Sequence, residues 1–155
     1  MLFRTHVLFG LLCGTFLIKI LNPANSYLFF ALLLLGAIFP DIDTPTSKLQ
    51  KKTGGLLKPI ALLFSHRGIF HSLFAAVLLA LIPYSLLNHS LGIAFFIGYL
   101  SHIVSDGLTK KGVNLFSPII KLELRGPIET GSIAEIILDA LLIVLIYFTV
   151  KSVYF

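Results

Sequence analysis

Leu91-Gly92-Ile93-Ala94-Phe95-Phe96-Ile97-Gly98-Tyr99-Leu100-Ser101-His102-Ile103-Val104-Ser105-Asp106 decides how this chain is read. The stretch is apolar or small from Leu91 to Ser101, and then carries an imidazole and a carboxylate four residues apart. Spacing of i, i+4 puts both on one face of a helix. Ionisable side chains at the end of a membrane-type helix are costly and mark a partner or a task. His102 and Asp106 therefore read as two ligands of one metal, or of two neighbouring metals.

The same arrangement recurs outward along the chain. Apolar segments Thr5–Leu21, Tyr27–Phe39, Gly68–Leu87, Leu91–Leu108 and Ile133–Val150 are the helix candidates. His6 begins the first. Asp41 and Asp43 follow the second, in Pro40-Asp-Ile-Asp-Thr-Pro45, where the prolines stiffen a non-helical segment. His66 and His71 flank the start of the third, five apart and so not on one helix face, with His66 acting from the loop and His71 from the helix. Glu135 opens the fifth, with Asp139 one turn deeper. Asn22-Pro23 and Asn88-His89-Ser90 predict tight turns, making helices one and two, and three and four, antiparallel hairpins.

A hydrocarbon core of roughly 30 Å takes about 20 helical residues. The second segment has 13 before Pro40, so such helices stop early or carry polar ends into one leaflet. Leu56–Phe64 is too short to span and reads as an interfacial or re-entrant piece. Gly107–Pro127 reads mostly as loop, with short structure around Ile119–Leu124. The N-terminal apolar run is expected to be a retained helix, since no small-x-small cleavage pattern follows it.

Charge gives the orientation. Arg4, five basic residues between helices two and three, and four between helices four and five fall on one side, ten of twelve in all. Lys19 and Lys151 are the others. The positive-inside rule puts that side in the cytoplasm. The expectation is a single domain over residues 1–155, an all-α, polytopic membrane bundle of about five transmembrane helices plus the interfacial segment. All candidate ligands then meet at the cytoplasmic ends.

Composition agrees. Of 155 residues, 57% are hydrophobic and 12% charged, about half the charge of a soluble domain at roughly 25%. There is no Trp and no basic–aromatic surface pattern, so no nucleic acid is expected as partner. The single Cys13 excludes an internal disulfide and a thiolate cluster.

Mixed His and carboxylate ligands suit catalytic zinc, with manganese or iron as alternatives. The candidates His6, Asp41, Asp43, His66, His71, His102, Asp106 and Glu135 exceed one tetrahedral site. Two or three ions are the natural count, with an aspartate bridging a pair, and water at such a site is acidified to a pKa of roughly 7. Arg67, beside His66, and Lys110 or Lys111, near Asp106, are candidates for holding phosphate. Asp41, Asp43, Arg67 and Glu135 are the candidate catalytic groups. Ser132-x-x-Glu135 also reads as a helix capping box.

Phe39-Pro40-Asp41-Ile42-Asp43, His66-Arg67-Gly68-Ile69-Phe70-His71-Ser72 and Gly98-Tyr99-Leu100-Ser101-His102-Ile103-Val104-Ser105-Asp106 resemble the signature blocks of the YdjM-type family of membrane-bound, metal-dependent hydrolases. That family is in turn similar to zinc phospholipase C and P1-type nucleases, helical enzymes with three zinc ions. The resemblance implies ligation by His6, an aspartate of the 41/43 pair, His66, His102 and Asp106, with Glu135 matching a late glutamate. A histidine four residues before that glutamate is Gly131 here. The expected function is hydrolysis of a phosphoester of a membrane lipid or lipid-linked substrate by metal-activated hydroxide, at a prokaryotic inner membrane. The rivals are a metal ion transporter and a metal-stabilised structural or regulatory membrane protein.

Overall fold

A computed structural model describes residues 1–43 and 69–154, the side chains of 42, 43, 153 and 154 excepted. His66, Arg67 and the Leu56–Phe64 segment lie outside the described residues. The elements in order are α1 (Phe3–Leu21), α2 (Ser26–Ile38), a 3-10 turn at Phe39–Asp43, another at Ile69–His71, α3 (Leu73–Leu86), α4 (His89–Gly107), β1 (Val113–Phe116), β2 (Ile120–Leu124) and α5 (Ile133–Tyr154).

Local sequence sets most of the boundaries. Asn22 ends α1 in the left-handed conformation (φ 38°) that Asn tolerates. Asn25 opens α2 with its side chain accepting from Leu28 N–H at 3.0 Å, and Asn88 does the same for Leu91 at the start of α4. Ser72 caps α3 by accepting from Ala75 N–H. Hence α3 begins at Leu73, and His71 sits in the 3-10 turn rather than in the helix expected from Gly68.

α4 is the central helix. α2, α3 and α1 all pack on it, and α5 packs on α1. The closeness of α2 to α4 depends on two glycines. A Cβ on Gly98 would fall 1.9 Å from Leu33 O, and one on Gly36 would fall 2.2 Å from Phe95 O. Phe29, Leu33, Leu91 and Ala94 fill one part of the core, and Ala76, Phe95, Tyr99 and Ile103 another.

α1 and α5 run parallel. Thr5 bonds Glu135 near both N-termini, and Lys19 Nζ donates to Ser152 O near both C-termini.

Two expectations change. The fold is mostly helical but not all-α, because β1 and β2 form an antiparallel hairpin with Val113 opposite Leu124 and Asn114 opposite Glu123. Ile120-Lys-Leu-Glu-Leu124 alternates strictly, a period-two pattern that favours a strand. The five full spans also narrow. Phe3–Leu21 and Ile133–Ser152 have the length and apolar composition to cross a membrane. α2 and α3, of 13 and 14 residues, extend only about 20 Å at 1.5 Å per residue. α4 has 19 residues, but its last turns are polar.

Candidate metal centre

Five candidate side chains from four segments meet at one end of the bundle. His6 comes from the first turns of α1, Asp41 from the 3-10 turn after α2, His71 from the 3-10 turn before α3, and His102 and Asp106 from the end of α4. His6, His71, His102 and Asp106 are buried, whereas the Asp41 side chain is 24% exposed. Their ligand atoms fall into two groups, His6–Asp41–His102 and His71–His102–Asp106, each within 4.8 Å.

The imidazoles are oriented through their outer nitrogens. Pro40, three residues after Ala37, has no N–H to offer the Ala37 carbonyl. The glycine-mediated crossing brings that carbonyl 2.8 Å from His102 Nδ1, which must donate to it. Ser105 Oγ donates its only hydrogen to His102 O (2.8 Å) and therefore accepts from His6 Nδ1–H (2.7 Å). Both rings consequently turn an Nε2 lone pair inward. Backbone and hydroxyl partners on the far nitrogen are what ligating histidines normally have.

Asp106 faces both groups. Its Oδ1 is 3.6 Å from His6 Nε2, and its Oδ2 is 3.6 Å from His71 Nε2 and 3.9 Å from His102 Nε2. His102 Nε2 and His71 Nε2 are 3.3 Å apart. Two nitrogens each about 2.0–2.1 Å from a tetrahedral zinc stand roughly 3.3–3.4 Å apart, so these two nitrogens have the spacing of ligands to one ion, while Asp106 stands slightly farther out. Asp41 Oδ1 lies 3.9 Å from His102 Nε2.

Glu135 stands apart from these groups. Its Oε1 accepts from Leu2 N–H (2.7 Å) and Thr5 Oγ–H (2.8 Å), and its Oε2 accepts from Gly131 N–H (2.6 Å). Gly131 takes φ +82°, which its missing side chain allows. The capping-box bond from Glu135 back to Ser132 is replaced by this one to Gly131. Asp139 pairs with Arg4, 2.6 Å from Nε to Oδ2. Lys110 is an exposed partner of Glu129 at 3.1 Å, and Lys111 is exposed. The side chain of Asp43 lies outside the described residues, as do His66 and Arg67.

Sequence reading missed two participants. Ser105 and the Ala37 carbonyl act through histidines, and neither type signals itself in a helix. The N-terminal amine, unexpected at the site with residues 1–5 ahead of His6, is nevertheless buried against Asp106 Oδ1.

Buried imidazoles and carboxylates converging at one end of a helical bundle define a candidate metal-binding helical protein. The chain belongs to the YdjM inner membrane protein family, whose model matches residues 1–154. It is 35% identical to the inner membrane protein YdjM of Escherichia coli (strain K12), over 73% of this chain and 63% of that one, and equally to its counterpart in Shigella flexneri. The match thus spans less than two thirds of the length of these relatives. It is 29% identical to YvsG of Bacillus subtilis (strain 168), over 85% and 83% of the two chains. No solved structure matches significantly.

Proposed function

We propose that the chain is a multi-pass protein of a prokaryotic inner membrane, one domain, that hydrolyses a phosphoester of a lipid or lipid-linked molecule with divalent metal, zinc first, at a site facing the cytoplasm. The observation that carries this reading is Asp106, whose Oδ2 faces His71 and His102 and whose Oδ1 faces both His6 and the Met1 amino group, which would have to leave that oxygen for an ion to take it. One ion would be held by His71, His102 and Asp106, and a second by His6 and Asp41, with Asp106 Oδ1 3.6 Å from His6 Nε2. His102 offers a single inward lone pair, since Nδ1 is committed to Ala37 O. It would therefore serve one ion, and Asp106 would be the residue able to reach both. A third ion would need residues outside those described.

When bound, such ions supply Lewis-acid activation of water and of the phosphoryl oxygens. The chain's own groups do the rest. Ala37 and Ser105 fix the two rings so that little reorganisation is needed on binding. The buried walls exclude bulk water, while partly exposed Asp41 marks the open edge where a headgroup enters and where a proton can be accepted. Glu135 ties the first turn of α1 to α5 and so holds His6 in register.

The transporter reading has less support. At the other end of the bundle His89 stacks on Tyr84 (4.5 Å) and joins no second cluster among the described residues. Transport requires access from both sides.

The test is turnover of phospholipid and isoprenoid phosphoesters by purified protein in detergent, with metal analysis alongside. Stoichiometric metal, hydrolysis, and loss of both on chelation are expected. Full metal occupancy with no hydrolysis of any such ester would instead favour a structural or regulatory metal protein, and metal flux in liposomes would favour transport.

A further inference from the structure

Arg4 and Asp139 lie on a face of the molecule that the metal cluster does not use. His6 turns toward α4, whereas Arg4, two residues earlier on α1, turns toward α5. Between α1 and α5 runs a groove of about 680 Å³, walled by Phe3, Val7, Leu8, Ile136, Ala140 and Ile143, with Arg4 and Asp139 as its polar residues. Because α1 and α5 run parallel from the end that carries the metal cluster, Arg4 stands at the mouth. The apolar walls then descend along both helices toward the middle of the bundle.

The two charges are unequal in exposure. Asp139 is buried, and neither of its oxygens takes a hydrogen bond among the described residues, the Arg4 contact being an ion pair. The Arg4 side chain is 55% exposed and meets Asp139 through Nε alone. The ion pair engages Nε, and the terminal guanidinium nitrogens, suited to bidentate phosphate contact, belong to a side chain that is more than half exposed. An apolar trough with a cation at its headgroup end complements an amphiphile with a phosphate head and a hydrocarbon tail.

We infer that the α1–α5 groove binds a membrane phospholipid, with its phosphate on Arg4 and an acyl chain along Val7, Leu8, Ala140 and Ile143. The inference rests on the membrane assignment and is independent of the metal. The lipid here is a bound ligand, with its phosphate on the opposite face of α1 from His6.

The experiment compares phosphatidylglycerol with diacylglycerol of the same acyl chains, added to detergent-purified protein. Retention is read by native mass spectrometry and thermal midpoint by far-UV circular dichroism. Phosphatidylglycerol should be retained and raise the midpoint, and diacylglycerol should do neither. Arg4→Ala should raise the phosphatidylglycerol concentration needed at least tenfold. Ala140→Phe, which fills the groove and leaves both charges, should do the same and decides alone if Arg4→Ala does not fold. Equal binding of diacylglycerol, or undiminished phosphatidylglycerol binding by either folded variant, overturns the assignment. Metal content is unaffected in either case, so failure here leaves the hydrolase reading standing.

Discussion

The imidazoles of His6 and His102 lie face to face, with centroids 3.8 Å apart and planes 9° from parallel. This stack joins helix α1 to helix α4 inside the buried end of the bundle. Each ring is held from outside, His6 by Ser105 Oγ and His102 by Ala37 O. The stack and the two hydrogen bonds leave each ring one orientation, with Nε2 inward. Removing one outer bond should therefore loosen a ligand without removing it. Ser105→Ala is expected to weaken metal retention about 10–100-fold, the usual effect of losing the partner of a ligating histidine. Competition with a chelator of known affinity measures it, and unchanged far-UV circular dichroism would show that the helices persist. Retention equal to wild type would mean that His6 ligates nothing.

Ligand sharing makes stoichiometry informative. Asp106 faces both donor groups, whereas His71 belongs to one. Asp106→Ala should empty the site, and His71→Ala should remove about half the metal. Elemental analysis after gel filtration reads both. Equal losses in the two variants would show a single ion in place of a bridged pair.

Much of this site was legible because its ligands are rare residue types in an apolar chain. His6, Asp41, His71, His102 and Asp106 were each found as polar interruptions at segment ends, and the structure brings them together. The i, i+4 spacing placed His102 and Asp106 on one face before any tertiary contact was known. Glu135 was equally conspicuous, yet its oxygens go to Leu2, Thr5 and Gly131. A sequence shows that a carboxylate is present, but its hydrogen-bond donors here come largely from main-chain N–H groups, which every residue has. The same limit hid the Ala37 carbonyl. The helix α3 boundary was misread because Ile69-Phe70-His71 is compatible with a helix, and only the Ser72 cap shows where it starts. The hairpin is underread because two short strands, the second exposed throughout, give a weak signal next to five strong helical ones.

Helix packing and the metal site are coupled through Gly98. A Cβ there would meet Leu33 O at 1.9 Å, so α2 must move away from α4 in Gly98→Ala. Overpacking of this kind costs about 1–3 kcal/mol. The displacement also carries Ala37 O away from His102. The expected result is a lowered thermal midpoint together with weaker metal retention. A fall in midpoint with metal affinity intact would separate the helix crossing from the orientation of His102.

Glu135 distinguishes an anchoring carboxylate from a catalytic one. It accepts two main-chain N–H bonds and one hydroxyl bond, and in doing so ties the first turn of α1 to the start of α5. Glu135→Ala leaves those donors without their acceptor, and an unsatisfied buried donor costs about 1–3 kcal/mol. Glu135→Gln keeps one carbonyl acceptor but turns an amide toward a donor, so its loss should be smaller. An anchoring role therefore predicts graded destabilisation, Ala more than Gln, with turnover falling in proportion to the folded, metal-loaded fraction. The measurement is thermal midpoint and metal content beside the rate of phosphoester hydrolysis. If Glu135→Gln matched wild type in midpoint and metal but lost turnover, the carboxylate would be acting on substrate, and the anchoring account would fail.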